Sequence, residues 1–262
     1  MSRILSVFTL LSLLLLASGC VQQPIEGGLT KQQLANRVQE SARIHTELAA
    51  EYFHRGQIKV AIEEVDEALK AASNYAPAYN VMGLINMRLN QDHQALINFQ
   101  KAIRYAPNNP EINNNYGWFL CERFPERMDQ AIGHFMTALN DPLYATPEKS
   151  YANAGICELK RDNTAEAMSF FRHALSIESN FPPALVGMIE IDFKNGDVAA
   201  AKSKLSDFMQ HSQQTPESLW LAVQIERAVG NRLAEDSYMF QLLKHFPDSK
   251  EAIAVRKDRL RQ

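Results

Sequence analysis

The sequence lacks the features that mark most enzymes and nucleic-acid-binding proteins. Its 27 lysine and arginine residues are outnumbered by 30 aspartate and glutamate residues, and a net charge of −3 provides no attraction to a phosphate backbone. The seven histidines form no metal-ligand pair such as H-E-x-x-H, and no G-x-S-x-G motif, Walker loop or dinucleotide-binding fingerprint is present. We therefore expect neither an enzyme nor a protein that binds nucleic acid, a metal, a cofactor or a small-molecule substrate.

Long hydrophobic runs are also absent, with one exception at the N-terminus. An apolar stretch from residue 4 to residue 16 follows Arg3, and small residues at 17–19 lead to Cys20. The stretch is too short to cross a bilayer as a mature helix, but it is typical of an export signal. Small residues directly before a cysteine indicate a lipoprotein signal, which is cut before Cys20 so that this cysteine can be acylated. The alternative is an ordinary secretory signal with an incidental cysteine, because Ala17 stands where bacterial lipoproteins more often have leucine.

The lipidation prediction divides the N-terminal region into two segments. Residues 1–19 are the signal peptide, and residues 20–30 form a flexible tether that contains Pro24 and two glycines. Two or more acyl chains on Cys20 would hold the protein on a membrane without a spanning helix. Val21 follows the cysteine, and the absence of aspartate there resembles the default outer-membrane address of Gram-negative lipoproteins. We expect an outer-membrane lipid anchor, with the rest of the chain facing the periplasm.

The remaining sequence repeats with a period of about 34 residues. Within the segment from Gly83 to Pro107, Ala95 lies 34 residues after Ala61, and Gly117 lies 34 residues after Gly83. This period and residue set identify tetratricopeptide repeats (TPR), in which each unit is a helix-turn-helix. The predicted fold class is all-α: a right-handed superhelical solenoid of six TPR units followed by a C-terminal capping helix.

The repeat pattern places the array at residues 31–249 and the capping helix at residues 250–262. The six units are predicted at residues 42–75, 76–109, 110–147, 148–181, 182–215 and 216–249. Unit three is irregular, and units five and six match the pattern more weakly. The turn within a unit needs a residue that tolerates positive φ. Such residues recur at one phase of the repeat: Gly56, Asn90, Asp162, Gly196 and Gly230.

The packing and the ends of the array are predicted from the same pattern. Small residues allow the two helices of a unit to approach closely. Thr30 is expected to cap a long first helix that continues to Arg55, and Asp248 with Glu251 is expected to start the capping helix. Three phenylalanines are expected to fill the space between neighbouring units: Phe99, Phe135 and Phe171.

Cys121 and Cys157 are the only cysteines after Cys20. They are the twelfth residue of unit three and the tenth of unit four, both on first helices, which lie side by side in a TPR array. Two positions correspond to about 200° around a helix, so the thiols point toward opposite flanks, as a bridge between neighbouring helices requires. An oxidising periplasm permits such a disulfide. The alternative is two small buried thiols, which are common in helical cores.

The concave face of a TPR array is made by the first helices, where residues two, five, nine, twelve and thirteen of each unit project. Asn80 and Asn114 share the fifth position and could hydrogen-bond a peptide backbone. For each single residue, packing against its own neighbours is an equally good interpretation, but an exposed apolar stripe usually marks a partner site. We expect a groove that binds an apolar segment of a partner protein, centred on Leu84, Met87 and Trp118. Its apolar positions in units one to four are Phe53, Leu84, Met87, Trp118, Ile156 and Leu159.

Three segments carry a closer resemblance: residues 113–121 (NNNYGWFLC), residues 141–147 (DPLYATP) and residues 155–157 (GIC). They resemble the PilF/PilW family of type IV pilus biogenesis lipoproteins, the pilotins, and the similarity extends from the lipid signal to Pro247. The resemblance implies an outer-membrane lipoprotein of six TPR units whose partner is the secretin of the pilus machine. Such a protein helps the secretin reach the outer membrane and multimerise, and twitching motility depends on it. The family also implies paired cysteines between units three and four.

Two other classes of function share the anchor and the fold. One is a different outer-membrane TPR adaptor that recruits a periplasmic protease or a peptidoglycan hydrolase. The other is a purely structural lipoprotein whose groove is filled by its own chain. Loss of twitching motility on deletion would separate a pilotin from both.

Overall fold

The structure is a computed structural model, and it describes residues 30–259. The chain divides into two compact parts, which are not TPR units, between residues 38 and 39. The described residues form helices and no strand, which confirms the all-α class. The α-helices are α1 (Lys31–His54), α2 (Ile58–Ala71), α3 (Ala76–Arg88), α4 (Asp92–Tyr105), α5 (Pro110–Arg123), α6 (Met128–Leu139), α7 (Pro147–Lys160), α8 (Thr164–Ile177), α9 (Pro182–Lys194), α10 (Val198–His211), α11 (Pro216–Ala228), α12 (Arg232–His245) and α13 (Lys250–Arg259).

The helices pack in sequential pairs joined by short turns. The pairs from the second onward are α3 with α4, α5 with α6, α7 with α8, α9 with α10, and α11 with α12. The first helices also contact one another in order, from α3 to α5, α7, α9, α11 and finally α13. A side chain on the exposed flank of one first helix therefore lies near the equivalent side chain of the next, and these rows of side chains form one continuous surface.

Close approach of the two helices depends on glycine. A Cβ atom on Gly83 would lie 2.8 Å from the ring of Phe99, which comes from the second helix of the same pair. Gly117 has the same relation to Phe135, and Gly155 to Phe171. These rings fill a recess that glycine leaves within each pair. They also reach the next unit, as predicted: the Phe99 ring centroid lies 5.8 Å from that of Tyr116 and 5.1 Å from that of Phe119, both on α5. Phe171 alone also meets a glycine of the next pair, Gly187 of α9.

The turns inside the pairs follow the prediction. The residues with positive φ in the described part of the chain are Gly56, Asn90, Asp162, Gly196 and Gly230, with φ between 57° and 83°. Side chains rarely adopt this conformation, which glycine and, less often, asparagine or aspartate tolerate. The predicted set is thereby confirmed.

The helix ends show one agreement and one difference. Thr30 and Gln33 form a reciprocal cap. The backbone N–H of Gln33 donates to Thr30 Oγ1 at 3.2 Å, and the backbone N–H of Thr30 donates to Gln33 Oε1 at 2.9 Å. At α13 the cap is Ser249 rather than Asp248, because Ser249 Oγ accepts the Ala252 amide hydrogen at 3.1 Å.

Unit three is irregular, as its sequence suggests. A 3₁₀ turn at Pro125–Arg127 separates α5 from α6, and residues 140–146 connect α6 to α7 without a helix. Over the residues that the structure describes, none of the helices combines the length and the apolar character needed to cross a bilayer.

Candidate partner-binding groove

Four first helices, α5, α7, α9 and α11, together with the start of α13, enclose a groove of about 560 Å3. Both tryptophans of the chain line it, Trp118 from α5 and Trp220 from α11. An open groove with two indole rings in its lining is suited to anchoring an apolar side chain of another protein. The remaining apolar lining residues are Ile156, Leu159, Pro182, Pro183, Val186, Gly187 and Leu221.

The repeat explains why these side chains converge. Trp118 and Ile156 are the ninth residues of their units, and Val186 and Trp220 are the fifth residues of theirs. Residues five and nine lie one helical turn apart on the same face of a first helix. Because the first helices contact each other in sequence, this face is continuous from α5 to α11.

Charged residues surround the apolar lining. The Lys160 ammonium lies 5.3 Å from the ring centroid of Trp118 and forms an ion pair with Glu122. Lys250, at the start of α13, lies 4.0 Å from the other carboxylate oxygen of Glu122 on α5. Helices α5 and α13 are far apart in sequence, so this contact joins the two ends of the groove.

Glu251 lies beside this contact and is only 7% exposed. Burial raises the pKa of its carboxyl, and the negative charges of Glu217 and Glu122 raise it further, while Lys250 acts in the opposite direction. The end of the groove formed by α11 and α13 therefore has an excess of carboxylate groups.

The structure brings together only part of the residue set predicted for the groove. Trp118, Ile156 and Leu159 line it. Leu84 and Met87 lie outside it, half-buried against the core cluster that contains Phe119 and Leu120. Phe53 is also outside, and the Arg88 guanidinium stands over its ring at 5.6 Å. The groove contains the predicted apolar residues of units three and four, and it extends to units five and six.

Asn80 and Asn114, predicted to pair with a peptide backbone, form hydrogen bonds between neighbouring first helices and do not line this groove. Both are buried, with 5% and 7% of their surface exposed. The Asn80 side-chain oxygen accepts from Asn115 at 3.3 Å, and the Asn114 oxygen accepts from Ser150 at 2.9 Å and Asn153 at 3.0 Å. The two amides therefore connect α3 to α5 and α5 to α7, because neighbouring first helices bring polar partners within reach.

Cys121 and Cys157 form a disulfide between α5 and α7, with their Cα atoms 5.9 Å apart. Both residues are buried. Cys121 lies one helical turn after Trp118, and Cys157 directly follows Ile156. The bond therefore fixes the two helices that form one side of the groove.

The groove residues that sequence reasoning missed include Val186, Trp220 and Glu217, in units five and six. The signal for them was available, because they occupy the fifth and second positions of their units. The weaker match of these units to the repeat pattern obscured it. Cys20, the predicted lipidation site, lies outside the described residues.

The helix pairs define the class of protein: a TPR scaffold. Residues 76–109 and residues 98–140 each match a tetratricopeptide repeat family profile. A tetratricopeptide repeat protein from Parabacteroides merdae shares the fold with a TM-score of 0.67 at 16% identity, over 85% of this chain and 88% of its own.

The more specific similarities are to type IV pilus proteins. The type IV pilus assembly protein PilF of Pseudomonas aeruginosa is 24% identical over 234 residues, which is 89% of this chain and 91% of PilF. The crystal structure of PilW, described as a widely conserved type IV pilus biogenesis factor, is 31% identical with a TM-score of 0.68. That match covers 82% of this chain and 97% of PilW. The chain belongs to the PilF/PilW family of TPR proteins.

Proposed function

We propose that this protein acts in type IV pilus biogenesis as a pilotin, an outer-membrane lipoprotein that binds the pilus secretin. Its groove takes an apolar segment of the secretin, and binding promotes the localisation and multimerisation of the secretin in the outer membrane. The lipid on Cys20 holds the protein on the periplasmic side of that membrane.

The observation that carries the proposal is the two-tryptophan groove in a chain that belongs to the PilF/PilW family. A groove with exposed apolar surface and charged residues at its edge has the anatomy of a protein-protein interface. The first helices also hold the groove in a defined shape, so that little ordering entropy is lost when a segment binds.

The groove is tested with Trp118→Ala and Trp220→Ala, each introduced into the chromosomal gene. Each change should weaken secretin binding by about 2 kcal/mol, because a large aromatic anchor is removed from the interface. Secretin multimers in outer-membrane fractions and twitching motility should both decrease, and the double variant should resemble a deletion. The matched control is Phe240→Ala, which removes an aromatic ring that is 61% exposed on α12, outside the groove.

Thermal unfolding of the same variants separates binding from packing. Trp118 also packs against the core cluster of α5 and α6, so its loss could act through stability alone. A destabilised Trp118 variant with normal secretin multimers, together with a Trp220 variant that behaves like Phe240→Ala, would refute the groove as the secretin site.

The anchor is tested with Cys20→Ser. The variant should be exported but neither labelled by fatty acids nor retained on the outer membrane, because the acylated thiol is missing. Membrane fractionation after metabolic labelling compares it with the wild type. An unlabelled wild-type protein with unchanged membrane retention in the variant would contradict lipidation at Cys20.

A further inference from the structure

The lysines that line the groove have oppositely charged partners, but one of its glutamates does not. Each of its three lysines is within ion-pair distance of a carboxylate. Glu217, in the first turn of α11, is exposed and has no cationic group at that distance in the part of the chain that the structure describes. The paired lysines are Lys160 with Glu122, Lys194 with Glu190, and Lys250 with Glu122 and Glu251.

The surroundings of Glu217 strengthen this imbalance. The nearby Glu251 carboxyl has a raised pKa, to which the Glu217 charge contributes. Lys250 lies 3.8 Å from Glu251 and 4.0 Å from Glu122, but its side chain is 68% exposed, so water screens its charge. The described residues contain no group of acidic, histidine or cysteine side chains arranged to hold a metal ion. An organic cation is therefore the better complement for this end of the groove.

Trp220 stands three residues after Glu217 on the same face of α11, and both line the groove. A side chain that pairs with the carboxylate would thus be adjacent to one that packs on the indole. An acidic segment would find no unpaired lysine in the groove, and a purely apolar segment would leave Glu217 facing an apolar surface at a desolvation cost.

We propose that the occupant of the groove is a polypeptide segment in which a lysine or arginine is next to an aromatic or aliphatic side chain. The basic group pairs with Glu217, and the apolar group packs on Trp220. The inference rests on the proposed function in taking the groove as the partner site, and it adds the sequence character of the segment.

The test selects phage-displayed random dodecapeptides on the full mature chain in detergent and keeps those that Trp118→Ala/Trp220→Ala no longer binds. These groove-dependent peptides should be enriched in lysine or arginine beside an apolar residue. Glu217→Lys should lower their affinity about tenfold, because an attraction is replaced by a repulsion, and Glu217→Gln by about threefold. Affinity for Glu217→Lys should return when the basic residue of the peptide is replaced by glutamate. Glu166→Gln, an exposed carboxylate on α8 outside the groove, is the matched control.

Three results would overturn the inference: selected peptides without basic residues, equal binding of the peptides by wild type and Glu217→Lys, or no groove-dependent peptide at all. Secretin multimer yield in the tryptophan variants is measured separately. If the tryptophan variants lose secretin multimers but Glu217→Lys binds the peptides as the wild type does, this inference is refuted and the proposed function stands. Normal multimers together with charge-dependent peptide binding would refute the secretin as partner and leave the sequence preference.

Discussion

Two of the contacts between neighbouring first helices in the groove, here called the first and second joints, are built differently. At the first joint, α5 and α7 are linked by the Cys121–Cys157 disulfide. At the second joint, α7 and α9 are linked through Phe171, a fully buried ring of α8 that lies against Gly155 on one side and Gly187 on the other. A covalent bond secures the first joint whatever the surrounding packing. The second depends on packing around the Phe171 ring and on a hydrogen bond that the Lys194 ammonium donates to the Leu159 carbonyl oxygen at 3.3 Å.

The difference matters because each joint holds one side of the groove. Trp118 and Ile156 are on the helices of the first joint, Val186 is on α9 at the second joint, and Trp220 is on α11, the next first helix. The relative position of the two tryptophans therefore depends on the second joint and on the contact between α9 and α11, in addition to the disulfide-linked first joint.

The largest effect is expected from breaking the second joint with Phe171→Ala. This change leaves a cavity between α7 and α9 and should lower the free energy of unfolding by about 4 kcal/mol, as for other buried phenylalanines. Urea unfolding measures it, and Phe240→Ala, with its exposed ring, should change stability by less than about 0.5 kcal/mol. A loss below about 1 kcal/mol for Phe171→Ala would mean that the neighbouring helices collapse into the space, and that the joint does not depend on the ring.

Breaking the first joint with Cys121→Ala/Cys157→Ala should cost about 2 to 4 kcal/mol, because the bond closes a loop of 36 residues in the unfolded chain. The fold should persist, since each unit still packs on both neighbours. Thermal unfolding with and without reductant measures the effect, which should disappear in reductant, whereas the Phe171→Ala loss should remain. Mass spectrometry of non-reduced digests reports the bond in the exported protein, and two free thiols there would contradict it.

The smallest effect concerns Glu251, at the end of the groove beyond the second joint. Its pKa is raised above the ordinary value of 4.5, so the folded state holds the proton more tightly than the unfolded state. Stability therefore falls as pH rises from about 4.5 through the folded pKa, and the loss remains at neutral pH. Glu251→Gln should raise stability near pH 7 by less than about 1 kcal/mol and change it little near pH 4. An equal difference at both pH values would show that the effect is not one of protonation.

The fold was predictable because a repeat reports the same physical constraint many times. The five turn residues were predicted because they recur at the same position of the repeat, and all five have positive φ. Small residues were likewise expected where the two helices of a unit approach closely, and Gly83, Gly117 and Gly155 each lie against a phenylalanine ring of their own pair. A requirement for glycine is local, so the sequence reveals it directly.

The groove was predicted only in part because its position depends on several units at once. Trp118, Ile156 and Leu159 line the groove, whereas Leu84 and Met87 lie outside it, although they pack against the same core cluster as Trp118. The interhelix hydrogen bonds of Asn114 were also not foreseen, since they require knowledge of which side chains face it from α7. Periodicity identifies the face of a helix, but not which part of that face the neighbouring units leave open.

The unequal joints also determine how the array opens. Repeat proteins unfold locally from the ends, and amide hydrogen exchange reports the free energy of each opening. The disulfide-linked helices α5 and α7 should exchange slowly even when α9 to α13 separate from them, so the groove is lost before the array unfolds. A partner bound on both sides of the second joint would have to suppress this opening. It would slow exchange in α9 and α11 more than in α5 and α7, which makes the time course of deuterium uptake a record of partner occupancy.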